Sequence, residues 1–78
     1  MSARFHIRAD ADPQTLPRVL GLLSQRWLVP SELVARIEGD ALDIQCQVPA
    51  LTGAAMAIVA AKLQEMVLVR EVVVIAAA

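Results

Sequence analysis

The run Glu32-Leu33-Val34-Ala35-Arg36-Ile37-Glu38-Gly39-Asp40-Ala41-Leu42-Asp43-Ile44-Gln45-Cys46-Gln47-Val48 decides the fold. Before the glycine, Leu33, Ala35 and Ile37 share one parity, and Glu32, Arg36 and Glu38 share the other with Val34. After Asp40, Leu42, Ile44, Cys46 and Val48 alternate with Asp43, Gln45 and Gln47. Two period-2 runs joined by two turn residues make an antiparallel hairpin, each strand having one apolar face. Glycine in the first turn position suits a type II′ turn. Glu38-Gly39-Asp40 then forms a solvated acidic tip. Pro30 lies just upstream, which favours an edge position for the first of the two strands.

Upstream, Arg4-Phe5-His6-Ile7-Arg8-Ala9 alternates strictly, with Phe5, Ile7 and Ala9 on one face, so a half-buried strand is expected. Asp10-Ala11-Asp12-Pro13 stops it. Asp12 can cap a helix and Pro13 suits a first helical position. Leu16, Val19, Leu20, Leu23 and Trp27 then form one helical stripe. Pro17 leaves two starts open: at Pro13, where it forfeits a backbone bond, or nearer Thr15, where it costs little. Pro30 closes the segment, since the residue before proline avoids helical geometry.

Downstream of the hairpin, Thr52 caps a second expected helix reaching Met66, with the stripe Met56, Val59, Ala60, Leu63 and Met66. Val69 to Ile75 is rich in β-branched residues and reads as a last strand, with Ala76 to Ala78 expected to fray. Strand–helix–strand occurs twice, joined by the hairpin. Two right-handed crossovers of this kind predict an α+β, ferredoxin-like βαββαβ sandwich, a four-stranded antiparallel sheet with two helices on one face. Residues 1–78 read as a single domain.

Composition narrows the function. The chain is 58% apolar, against ~45–50% typical of globular domains even with glycine counted. That surplus predicts association with a second copy, through a sheet edge. Net charge is −1 with no basic cluster, and the aromatic residues are Phe5 and Trp27 alone, so nucleic-acid binding is not expected. Residues 44–61 carry no charge, but Gln45, Gln47, Pro49, Thr52 and Gly53 interrupt them, so no membrane span is expected. One cysteine excludes an internal disulfide, and with one histidine excludes a structural zinc site; a cytoplasmic location is expected.

Catalytic signals are absent from the pattern. His6 lies between Arg4 and Arg8 on a polar strand face; as a catalytic base it would need both a nucleophile and an orienting carboxylate, and the sequence offers no such set. Cys46 has the parity of a small core residue. Asp10 and Asp12 read as helix-start residues rather than metal ligands. Trp27 fits two roles equally, an interface anchor or a cap on the core.

Leu16-Pro17-Arg18-Val19-Leu20-Gly21-Leu22-Leu23-Ser24-Gln25-Arg26 resembles the first helix of the small, regulatory subunits of acetolactate (acetohydroxyacid) synthase, where a similar L-x-R-V-x-G-L-F-S-Q-R-G run occurs. Ser31 stands where that family has a serine in the following strand, and Leu63 to Val72 is similar to its L-x-K-L-x-x-V-x-x-V ending. The resemblance covers the whole chain as one ACT domain. It implies a non-catalytic subunit that binds and activates a large catalytic chain, which holds thiamine diphosphate, magnesium and FAD; no cofactor is expected in this chain. In valine-inhibited members, valine sits between paired ACT domains, held by an N-x-x-G-x-L loop of one and by an asparagine in the second strand of its partner. Here Leu16 keeps the leucine, but Ala11, Gln14 and Val29 stand at the asparagine, glycine and strand asparagine. Ala11 and Val29 offer no side-chain hydrogen bond, and Gln14 adds bulk where a backbone must approach a carboxylate. The resemblance therefore points to the short, valine-insensitive type, which also has one domain. A free-standing ACT-like domain binding another amino acid is the alternative. A small acylphosphatase-like hydrolase would need an anion-cradling loop, and Asp10-Ala11-Asp12-Pro13 is acidic instead.

Overall fold

A computed structural model describes residues 2–77. The elements run β1 (Ser2–Asp10), α1 (Thr15–Gln25), β2 (Glu32–Glu38), β3 (Ala41–Pro49), α2 (Gly53–Gln64) and β4 (Val69–Ala77). The strands form one antiparallel sheet in the order β2-β3-β1-β4. This is the ferredoxin-like arrangement that the hairpin and the two crossovers require.

Register explains the core. Phe5 on β1 stands opposite Cys46 and Val74, and Ile7 stands opposite Ile44 and Val72. These side chains project to one face, where Val19 and Leu23 of α1 and Val59 and Leu63 of α2 join them in one buried cluster. Each large side chain buried there contributes about 1.5–3 kcal/mol. On the reverse face Arg4, His6 and Arg8 are exposed and bond across the sheet, Arg4 to Gln47 at 3.0 Å, Arg8 to Glu38 at 3.5 Å and His6 to Asp43. Cys46 is buried, as its parity predicts.

The turn between β2 and β3 has two residues, and Gly39 alone of the pair takes positive φ (63°), as a II′ turn requires. Pro30 was a true edge signal, since β2 has a neighbour on one side only.

Several boundaries differ from the sequence reading. The first helix starts at Thr15, the later of the two options, so Pro13 lies outside it. Asp12 still serves the helix entry: its carboxylate accepts the Gln14 N–H at 2.8 Å. The second helix stops at Gln64 rather than Met66, and Thr52 takes the capping position without a side-chain bond. Ala76 and Ala77 do not fray; they pair with Ala3 and Ser2 of β1. Ala78 lies outside the described residues. Helix α1 ends at Gln25, so Trp27 leaves the helical stripe and stands 93% exposed, which removes its core-capping role. Finally, β2 has the parity of a covered strand but little cover: Ala35 is exposed and Ile37 is 73% exposed.

Candidate functional site

The β1–α1 loop and the β2–β3 tip meet at one end of the sheet. The Ala11 N–H donates to the Asp40 carbonyl at 3.1 Å, and the Asp10 N–H donates to the Leu68 carbonyl at 2.8 Å. Arg70, opening β4, closes the junction: its Nε donates to Asp10 Oδ1 at 2.7 Å and its guanidinium also reaches the Asp40 carbonyl at 3.3 Å. The sole signal for this clamp is the charged pair Arg70-Glu71 at the start of a strand that is otherwise apolar; parity alone does not join Arg70 to the two acidic loops.

Within the loop every backbone donor is occupied. Besides Ala11, the Asp12 N–H donates to the Asp10 carbonyl (2.8 Å), Gln14 to Asp12 Oδ1 (2.8 Å) and Thr15 to the Asp12 carbonyl (3.0 Å); Pro13 has none. The Thr15 hydroxyl, fully buried, donates to the Asp10 carbonyl at 2.7 Å. Short loops whose own N–H groups are paired present no cradle for an anion.

The four positions suggested by resemblance are distributed as follows. Ala11 is exposed beside the hairpin tip, and Leu16 packs partly buried against the core. Gln14 turns along α1, where its Oε1 accepts from Arg18 Nε at 3.1 Å and from a second Arg18 nitrogen at 2.8 Å. Val29 is 79% exposed at the far end of α1. Gln14 lines a groove of about 600 Å³ with Asp12, Arg18, Leu22, Met66 and Leu68. Val29 lines a different one with Leu20, Leu23, Leu28 and Pro30. One chain therefore does not bring the four together.

Other titratable groups are engaged structurally. Burial pushes the Cys46 thiol up to about 11, which suppresses the thiolate needed for nucleophilic chemistry. Asp10 is bonded to Arg70 and Asp12 to the helix entry. Among the described residues no three of His, Cys, Asp and Glu gather as a metal site, and no helix is long and apolar enough to cross a membrane.

These features define an α+β sandwich with a four-stranded antiparallel sheet and two helices. The chain belongs to the ACT-like domain family, whose model matches residues 1–78. It is similar in structure to the ACT domain from GTP pyrophosphokinase of Chlorobium tepidum, with a TM-score of 0.83 at 12% identity, covering 96% of this chain and 97% of that one. A homoserine dehydrogenase from Thiobacillus denitrificans (TM-score 0.79, 17% identity) is covered over 16% of its length by 95% of this chain. The regulatory subunit of aspartate kinase from Thermus thermophilus (TM-score 0.71, 15% identity) is covered over 50% by 96% of this chain. At such identities the likeness is one of fold. No curated protein matches the chain.

Proposed function

We propose that this chain is the non-catalytic small subunit of an acetolactate synthase, of the short type that valine does not inhibit, acting as a homodimer joined through its sheet edges. Membership of a regulatory-type family supports the general role. The α1 run from Leu16 to Arg26 supports the particular one. Catalysis, with thiamine diphosphate, magnesium and FAD, then belongs to the large partner chain, and this subunit acts by favouring the partner's active conformation.

The observation that carries the valine reading is the β1–α1 loop. Its N–H groups at Ala11, Asp12, Gln14 and Thr15 all donate within the chain. Ala11 and Val29 have no polar side chain, and the Gln14 amide oxygen is held by Arg18. A zwitterionic ligand would lose water without gaining matched partners. Each missing charge-assisted bond is worth about 1.5–3 kcal/mol, so two would weaken a micromolar site roughly a hundredfold or more. Edge pairing is supported by β2, which has one free edge and carries the exposed Ile37 on its apolar side.

One observation favours a second reading. The groove beside α1, outside the loop backbone, places the opposite charges of Asp12 and Arg18 near Leu22 and Met66, which supports a free-standing domain that binds an amino-acid effector there. The deciding experiment mixes the chain with its cognate catalytic subunit and follows acetolactate formation with and without millimolar valine. Stimulation that valine leaves unchanged is expected. No stimulation at saturating ratios refutes the subunit role and favours the free-standing effector-binding domain; micromolar valine inhibition refutes the reading of the loop.

A further inference from the structure

Helix α1 ends in a tight reversal. The Leu28 N–H donates to the Leu23 carbonyl at 2.9 Å and the Trp27 N–H to the Ser24 carbonyl at 3.0 Å. This is the Schellman pattern, whose central residue must enter the left-handed region. Glycine does so without penalty; any residue with a Cβ pays for it in conformational energy. Here that residue is Trp27, at φ 58°, and its side chain makes little use of its own protein, being 93% exposed. A strained position occupied by the largest apolar side chain, turned to solvent, gains nothing for the isolated fold.

Beside Trp27 lies the apolar groove formed by Leu20, Leu23, Leu28, Val29 and Pro30. Trp27 borders it rather than filling it. A projecting side chain next to a groove without charged lining suits an isologous contact, since a two-fold axis makes the entry of one copy's projection into the other's groove reciprocal. We propose that Trp27 anchors the contact between two copies of this chain, each indole entering the groove of its partner. Resting on the edge-pairing reading, the inference gives that dimer its principal anchor.

Area supports a second copy as the occupant. Trp27 (93%), Val29 (79%), Ile37 (73%) and Leu20 (37%) expose on the order of 500 Å² of apolar surface. With the free edge of β2, this approaches the ~800 Å² per partner of a standard stable interface. Pro30 follows Val29 directly and leads into β2, so the groove and the free edge adjoin in the chain.

Trp27 is the sole tryptophan, and the chain has no tyrosine, so intrinsic fluorescence reports this residue alone. The test titrates the whole chain from nanomolar to hundred-micromolar concentration, following emission and acrylamide quenching beside sedimentation. Emission should shift to the blue and quenching should fall in step with dimer formation. Trp27→Gly should weaken the dimer by roughly thirtyfold for each indole lost, several hundredfold for two. The same change should strengthen folding of the dilute monomer about fivefold, because glycine relieves the left-handed strain. Ile37→Lys probes the β2 edge separately. A dimer that keeps an exposed indole, or that Trp27→Gly leaves intact, overturns the inference while edge pairing stands. A dimer broken by Trp27→Gly but indifferent to Ile37→Lys supports the anchor and limits the contact to the Pro30 end of β2. A monomer at every concentration overturns both.

Discussion

Cys46 sits in β3 between Phe5 of β1 and Leu33 of β2, 2% exposed, and burial raises its pKa from 9.0 to about 11. The raised value means that the folded state holds its proton where the unfolded chain has released it. Stability is then complete below pH 9 and declines as pH rises through the window from 9 to about 11. The slope approaches about 1.4 kcal/mol per pH unit, giving a loss of roughly 2–3 kcal/mol across the window. Few other groups interfere. The chain has no tyrosine and Lys62 is its single lysine, half exposed and near Glu65. Urea unfolding at half-unit steps from about pH 8 to about pH 11 measures the slope. Cys46→Ala should lower stability by about 1 kcal/mol near pH 8 through the small void it leaves, yet flatten the pH profile. Thiol labelling gives an independent reading: near pH 8 the folded thiolate fraction is about a hundredfold below that of the unfolded chain, and access is blocked besides. A native protein that labels at the unfolded rate, or a Cys46→Ala variant whose stability falls as steeply with pH as the parent's, would refute this account.

Further perturbations test how the site is held. Leu63→Ala removes the fully buried anchor of α2 and should cost about 2–5 kcal/mol in chemical denaturation, a large share of the stability of so small a domain. Asp12→Ala removes the acceptor of the Gln14 N–H and should cost about 1 kcal/mol, with a lower thermal midpoint; an unchanged midpoint would mean that water replaces the carboxylate at no cost. Gly39→Ala meets no atom within 4 Å of the added Cβ, so its loss of about 1–2 kcal/mol should come from the positive φ alone.

Parity carried the reading of the sheet because both faces are chemically distinct. Arg4, His6 and Arg8 against Phe5, Ile7 and Ala9 leaves a single register that buries the apolar set, and β3 repeats the pattern. Parity could not say how far the helices extend over the sheet. Leu33, Ala35 and Ile37 share a face, yet only the first is partly covered. Helix ends were legible only in part, because they depend on hydrogen bonds rather than on period: Asp12 accepts from outside the helix, and the reversal after Ser24 takes Trp27 off the stripe. The β4 end was misjudged because alanine has a weak strand preference, which pairing with β1 overrides. The site was the least legible. The resemblance assigns Ala11 and Gln14 to one copy's loop and Val29 to its partner, a pairing that one chain's pattern does not display, and the Arg70 clamp joins residues sixty positions apart.

That separation bears on the regulatory role proposed for this chain. Ala11 and Gln14 lie at the start of α1, whereas Val29 lies past its end, so a ligand touching all three must lie between two chains. An effector at such a junction acts by changing the stability of the junction, and is felt only through its differential affinity for joined and parted states. In this chain the loop donors are already occupied and the apolar groove with Trp27 stands free. A junction held by indole burial would be closed without a ligand. On the proposed reading, the occupied loop donors at one end of α1 and the apolar anchor at the other belong to one arrangement, in which association rather than an effector supplies the order.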